Sequence, residues 1–248
     1  MLTDGSIGFF FAAIAFVYAS VGFGGGSSYI ALLAVAGLPF AEIKLTALLC
    51  NIIVVTGGIA IFFQNKQLDF RKTAPLLLAS VPMAFVGARL KIGEQSFFLL
   101  LGSSLLLAAL FLWFQPKPAG NNQFSPEKPV RDGGFGAAIG LLSGMVGIGG
   151  GIFLSPLLHF VRWDSARKIA AAASIFILAN SVTGIVGQLS NFPQNLNWQR
   201  IGLLCLAVFL GGQAGSRASQ AWFSLVVVRR LTAVLVFAAG VEVLVKHF

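Results

Sequence analysis

Apolar residues fall into ten stretches separated by short polar breaks. Five cover roughly residues 6–21, 27–37, 42–63, 73–90 and 96–114, and the pattern restarts at 134–146, 152–161, 166–188, 200–216 and 229–248. Period-2 alternation is absent, so the stretches predict helices and not barrel strands. The longer ones approach the 20 or so residues that cross a ~30 Å hydrocarbon core. The pattern predicts an all-α polytopic membrane protein.

Two stretches, 27–37 and 152–161, are too short to span. Each follows a glycine run: Gly22-Phe23-Gly24-Gly25-Gly26 in the first half and Gly147-Ile148-Gly149-Gly150-Gly151 in the second. Glycine inside a helix costs roughly 1 kcal/mol relative to alanine. Triple glycines at matching places therefore predict deliberate helix breaks. Interrupted helices at corresponding points of two halves are a sequence-level pointer to a transporter's binding site.

The halves match elsewhere too. Asp69-Phe70-Arg71 aligns with Asn197-Trp198-Gln199, Gly87-Ala88-Arg89 with Gly215-Ser216-Arg217, and Thr56-Gly57 with Thr183-Gly184. This predicts a duplication: a first transmembrane repeat at 1–114, a polar linker at 115–133, and a second repeat at 134–248.

If the arms flanking each glycine run cross the membrane once together, the repeats are parallel and the basic residues divide almost evenly. If the arms form a re-entrant hairpin, the repeats are inverted. Of the 17 Lys and Arg residues, only Lys44, Arg89, Lys91, Arg200 and Lys246 then lie on the far side. The positive-inside bias selects the second arrangement. Each half is expected to hold a broken, re-entrant hairpin plus three transmembrane helices, about eight membrane segments in all. Both termini lie outside and the linker lies in the cytoplasm.

Composition agrees with this placement. The chain is 57% hydrophobic and 10% charged, against about 25% charged in soluble domains. The net charge of +9 fits cytoplasmic loops and anionic lipid and gives no reason to expect nucleic acid. Cys50 and Cys205 lie in apolar runs and suggest neither a disulfide framework nor a metal site. Met1 to Asp4 lacks the basic start of a signal peptide, so the first helix is expected to be retained.

The arm after each glycine run would begin its helix at mid-membrane. Its first N–H groups then lack helical partners, its dipole end is positive, and consecutive glycine amides can cradle an anion. The competing role for the glycines is close helix packing. The anion reading is preferred because three consecutive glycines break a helix more than packing requires. The eight carboxylates, at Asp4, Glu42, Asp69, Glu94, Glu127, Asp132, Asp164 and Glu242, avoid the predicted midplane. This disfavours a cation carrier or proton relay.

The expected substrate-binding residues are Gly22, Gly24, Gly25, Gly26, Ser27, Ser28, Asn51, Gly147, Gly149, Gly150, Gly151, Ser174 and Asn180. Among the polar ones, Asn51 and Asn180 serve equally well as interhelical hydrogen-bonding groups. Arg89 and Arg217 suit either anion attraction at each mouth or snorkelling. No His, Cys or carboxylate set suggests catalysis, a metal or a cofactor.

The paired G-x-G-G-G runs, the run Gly149-Gly150-Gly151-Ile152 followed by Pro156, and Ser155-Pro156-Leu157-Leu158 resemble the sulfite exporter TauE/SafE family over almost the whole chain. The first half departs by lacking the proline. The resemblance implies an inner-membrane transporter, an exporter of sulfite, organosulfonates or other small sulfur-containing anions. An anion channel, a membrane-embedded enzyme and a structural subunit are the alternatives.

Overall fold

The computed structural model describes residues 4–115, 124–189, 196–221 and 225–247. The described residues form ten helices and no strand. They are α1 (Asp4–Ala19), α2 (Gly26–Val35), α3 (Phe40–Gln64), α4 (Phe70–Arg89), α5 (Glu94–Phe114), α6 (Pro129–Val146), α7 (Gly151–Phe160), α8 (Ala166–Gln188), α9 (Trp198–Ala221) and α10 (Leu225–His247).

Local chemistry sets the boundaries. Asp69 Oδ1 accepts from the Lys72 N–H at 3.1 Å and caps α4. Asn197 Oδ1 accepts from the Arg200 N–H at 3.0 Å at the start of α9. The aligned tripeptides of the two halves are thus equivalent helix starts. Several boundaries move by a few residues, and α6 begins at Pro129, inside the expected linker. Proline's preset φ and missing N–H suit a first helical turn, so Arg131 and Asp132 belong to the helix.

Both glycine runs stop a helix. Gly22 and Gly25 have φ of 81° and 89°, and Gly147, Gly149 and Gly150 have 82°, 85° and 82°. Residues with a Cβ rarely adopt this left-handed backbone. After the first break α2 folds back alongside α1: the Tyr18 hydroxyl reaches Ser27 and Ser28, and the Phe11 ring stacks on Tyr29 at 4.6 Å.

The principal helix pairings survive exchange of the two halves. α4 packs on α6 as α9 packs on α1, α4 on α8 as α9 on α3, and α2 on α10 as α7 on α5. α3 pairs with α8, and α5 with α10. Leu48 lies by Gly184 while Asn51 and Ser181 meet at Gly149, so α3 and α8 run antiparallel. Gly102 lies by Leu244 and Leu105 by Gly240, so α5 and α10 are antiparallel too.

Glycine stripes bring the tightest pairs together. Gly136, Gly140 and Gly144 of α6 lie on the backbone of Leu76, Ser80 and Ala84 of α4. Gly211 and Gly215 of α9 lie likewise on Ala12 and Phe16 of α1. In lipid no hydrophobic force drives helices together, so small residues that admit dispersion contact between backbones take over that role.

Among the described residues, four helices are long and apolar enough to cross a membrane: Glu42–Gln64, Glu94–Phe114, Ala166–Gln188 and Trp198–Ala218. Large apolar side chains, including Phe9, Leu78, Trp113, Leu206 and Val245, point outward. An outer surface of this kind suits acyl chains and not water.

Ion pairs join the halves at opposite ends. At the start of α4, Lys72 Nζ meets Asp164 Oδ2 at 2.8 Å and donates to the Trp163 carbonyl. The Trp163 indole N–H donates to Asp132 at 2.9 Å. At the other end Arg200, at the start of α9, meets Glu42 at 3.6 Å. Burial disfavours the charge on Asp164. Hydrogen bonds from Lys72 and the Ser165 N–H, with the charges of Lys72 and Lys168, outweigh it and hold the carboxyl below its usual range. A depressed carboxylate pKa stabilises the fold above the unfolded value and loses that contribution as pH falls through the folded value. Asp164→Asn is expected to cost about 2 kcal/mol at pH 7 and clearly less near about pH 3, below the unfolded carboxyl value, where the contribution has begun to be lost. Unfolding in detergent at the two pH values tests this.

Candidate functional site

Asn51 stands near the middle of the 25-residue α3 and is fully buried. Its Oδ1 accepts from the Gly26 N–H at 2.8 Å, and its Nδ2 donates to the Ile148 carbonyl at 2.9 Å. One side chain thus binds both glycine turns. It also fixes their depth: α2 begins halfway along a helix long enough to span. Ile177, at the middle of the 23-residue α8, holds the corresponding place against Gly149 and Gly151.

The first turn is extensively tied. The Gly26 amide is occupied by Asn51, which caps α2 across a long sequence separation. Ser174 Oγ donates to the Gly22 carbonyl at 2.8 Å, joining α8 to this turn. Ser27 and Ser28 share hydrogen bonds with the Tyr18 hydroxyl at 3.2 and 2.7 Å. Gly24 packs against Asn51, and the Tyr29 ring covers Gly25. The Tyr29 hydroxyl is buried with no hydrogen-bond partner.

The second turn is differently furnished. Gly147 closes α6, with its N–H on the Ser143 carbonyl, and Gly150 is the N-cap of α7. Gly149 lies between Ile177, Asn51 and the Ser181 hydroxyl. Ser181 Oγ, Ser143 Oγ and both amide atoms of Asn180 are buried without a hydrogen-bond partner. Native structures rarely leave such groups unpaired, because each costs about 1–3 kcal/mol. A cluster of them at a helix break is a place for a polar guest.

The structure therefore draws Gly22, Gly24, Gly26, Asn51, Ser174, Gly149 and Gly151 into one region near the middle of α3 and α8. Ser27 and Ser28 belong to the α1–α2 hairpin. Asn180 lies one turn beyond Ile177 on α8. Thr56 and Thr183 satisfy themselves on their own helices, through the Ile52 and Ala179 carbonyls. Arg89 stacks on Phe85 of its own helix at 4.4 Å. The thiols of Cys50 and Cys205 are free and lie near each other.

Sequence reasoning missed Lys44, Ser143 and Ser181. Lys44 counted only as a topological charge, since a lysine near a helix start ordinarily reaches water. Here it is 6% exposed, its stem packs against Gly147, and Nζ donates to the Met145 carbonyl at 3.0 Å.

A cavity of about 480 Å³ opens between the C-terminal ends of α3 and α9. It is lined by Gly57, Ala60, Ile61, Gln64, Asn65, Gln213 and Arg217. Gly57 lies about 9 Å along α3 from Asn51. The cavity lies at the same end as the Lys72–Asp164 pair, because α3 and α8 are antiparallel.

Apolar helices with outward-facing side chains, interrupted at half depth by paired glycine turns, define a multi-pass helical membrane protein. The profile of the sulfite exporter TauE/SafE family matches residues 7–243, and the chain belongs to that family. It is similar to "Probable membrane transporter protein y4hK" of Sinorhizobium fredii, with 31% identity over 94% of this chain and 95% of that protein. It also resembles "Probable membrane transporter protein MamO" of Magnetospirillum gryphiswaldense, at 30% identity over 37% of this chain and 16% of that protein. No solved structure matches the chain. Family and relative together make this a membrane transporter.

Proposed function

We infer that the protein exports a small sulfur-containing anion, such as sulfite or an organosulfonate, across the cytoplasmic membrane. The anion binds at mid-membrane against the glycine turns. The observation that carries this is Asn51, which hydrogen-bonds both turns from the middle of α3. Backbone amides there lie out of reach of bulk water, where interaction with a charge is strengthened.

The halves act as inverted repeats, 1–114 and 134–248, joined by a cytoplasmic linker with both termini outside. The exchangeable helix pairings and the antiparallel α3–α8 and α5–α10 pairs support this arrangement. The Arg217-lined cavity is then the cytoplasmic vestibule. The Lys72–Asp164 and Arg200–Glu42 pairs close opposite ends, and alternating access opens one at a time.

Purified protein is expected to melt at higher temperature with sulfite, thiosulfate or an organosulfonate, since a ligand of the native state stabilises it. In proteoliposomes the flux of that anion should saturate and be accelerated by the same anion on the far side. Flux without saturation or exchange indicates a channel. If none of these anions shifts the melting temperature or crosses, the reading fails.

A further inference from the structure

The two halves are alike in path but not in charge. Lys44 packs against Gly147 of the second turn, and the corresponding contact on the first turn is made by Ala170 against Gly22. Among the described residues, Lys44 thus places a cation beside the second turn where the first has an alanine. Among the described residues no carboxylate pairs with Lys44, and its hydrogen bond goes to the Met145 carbonyl in the last turn of α6. A lysine buried against carbonyl dipoles alone is poorly compensated, since a lone buried charge ordinarily demands a counter-charge.

Its surroundings are equally asymmetric. Asn51 occupies the Gly26 amide at the head of α2, whereas Ile177, which cannot accept, stands against Gly151 at the head of α7. The unpaired hydroxyl of Ser181 lies beside Gly149. A Cβ on Gly149 would come within 3.1 Å of it. Unpaired Ser143 approaches Gly150 from α6. A positive helix end, a cation and the unpaired Ser181 hydroxyl thus meet at one turn, and each suits a compact oxyanion.

We propose that Lys44 is the counter-cation of the transported anion, which binds at the second glycine turn with Ser181 as a hydrogen-bond donor, while the first turn is a fixed structural partner. This rests on the glycine-turn reading above. In the empty protein Lys44 is parked on the Met145 carbonyl. When the anion arrives the ammonium turns to it, and the α6 carbonyl is left to the neighbouring amides. The site would thus favour anions over neutral solutes of the same shape.

The test uses the purified full chain and sodium sulfite, reading the melting temperature with and without sulfite and the initial flux of labelled sulfite in proteoliposomes. Lys44→Met is expected to weaken sulfite binding at least about tenfold, the usual loss when a charge-assisted hydrogen bond disappears. Lys44→Arg should stay within a few-fold of wild type. Ser181→Ala should weaken sulfite binding several-fold without lowering the melting temperature of the empty protein. Wild-type sulfite affinity in Lys44→Met or in Ser181→Ala overturns the proposal. So does a pair of Lys44 variants that both melt early yet keep a full sulfite-induced shift, since Lys44 would then only plug the end of α6. If Lys44→Met does not fold, Ser181→Ala decides on the same criterion, and a folded Lys44→Arg that loses sulfite binding overturns the proposal. The two readings fail separately: full flux in Gly150→Val removes the glycine-turn site, whereas a dead Gly150→Val with a normal Lys44→Met removes only the role of Lys44.

Discussion

Valine at Gly150 or at Gly25 is expected to abolish sulfite flux while the protein still inserts. Gly150 has φ of 82°, and a Cβ there would lie 2.8 Å from Phe176 Cε1 and 3.0 Å from Ile139 Cγ2. Gly25 has φ of 89°, and a Cβ would lie 2.8 Å from Cζ of Tyr29. A β-branched residue is strongly disfavoured in this backbone region. The turn must therefore open, which displaces the first amides of α7 directly or, from the first turn, disturbs the Asn51 side chain that ties the two turns together. Insertion depends on the hydropathy of the long helices and is unaffected. Strain and overlap of about 3 kcal/mol correspond to roughly a hundredfold loss of rate. Initial flux at equal reconstituted protein measures it, and normal flux in Gly150→Val removes the backbone-amide mechanism.

Gly144→Leu should have the largest effect on the fold. Gly136, Gly140 and Gly144 place α6 directly on α4, and even a methyl group on Gly144 would overlap the Ala84 carbonyl oxygen. Backbone cannot step aside as a side-chain end can, so the helices must separate along the whole stripe. Overpacking alone costs about 1–3 kcal/mol, and loss of the close contact adds to it. We expect a loss of at least about 3 kcal/mol and little monodisperse protein in detergent. Gly202→Leu is the control: a Cβ there meets nothing within 4 Å, so its stability should match wild type. Equal melting of the two variants would show that the stripe does not hold α4 to α6.

Much of the architecture was legible in the order of residues because hydropathy and backbone geometry act locally. The apolar stretches became helices, and the stretch at 166–188 kept its bounds. The triple glycines stopped helices because left-handed φ is a property of a residue and its neighbours. The start of α6 was misjudged because apolar content was weighed above the helix-starting chemistry of Pro129. The glycine stripes carried a signal, a glycine every fourth residue in α6, but it passed unused beside the louder triple runs.

The candidate site divides in the same way. Its glycines could be named from the sequence, whereas the roles of its polar side chains depend on partners far away in the chain. Asn51 meets Gly26 and Ile148, Ser174 meets Gly22, and Lys44 meets Met145. A lysine near a helix start and a serine after an asparagine look ordinary until packing denies them water. By itself the sequence determined where helices form, where they break, and that the chain lives in a bilayer, because each follows from the solvation and torsional freedom of consecutive residues. Only the tertiary structure decided that α3 and α8 cross at the two turns, that one asparagine binds both, and that the buried cation stands beside the second. Those facts arise from contacts between residues far apart in the chain, to which no local property is sensitive.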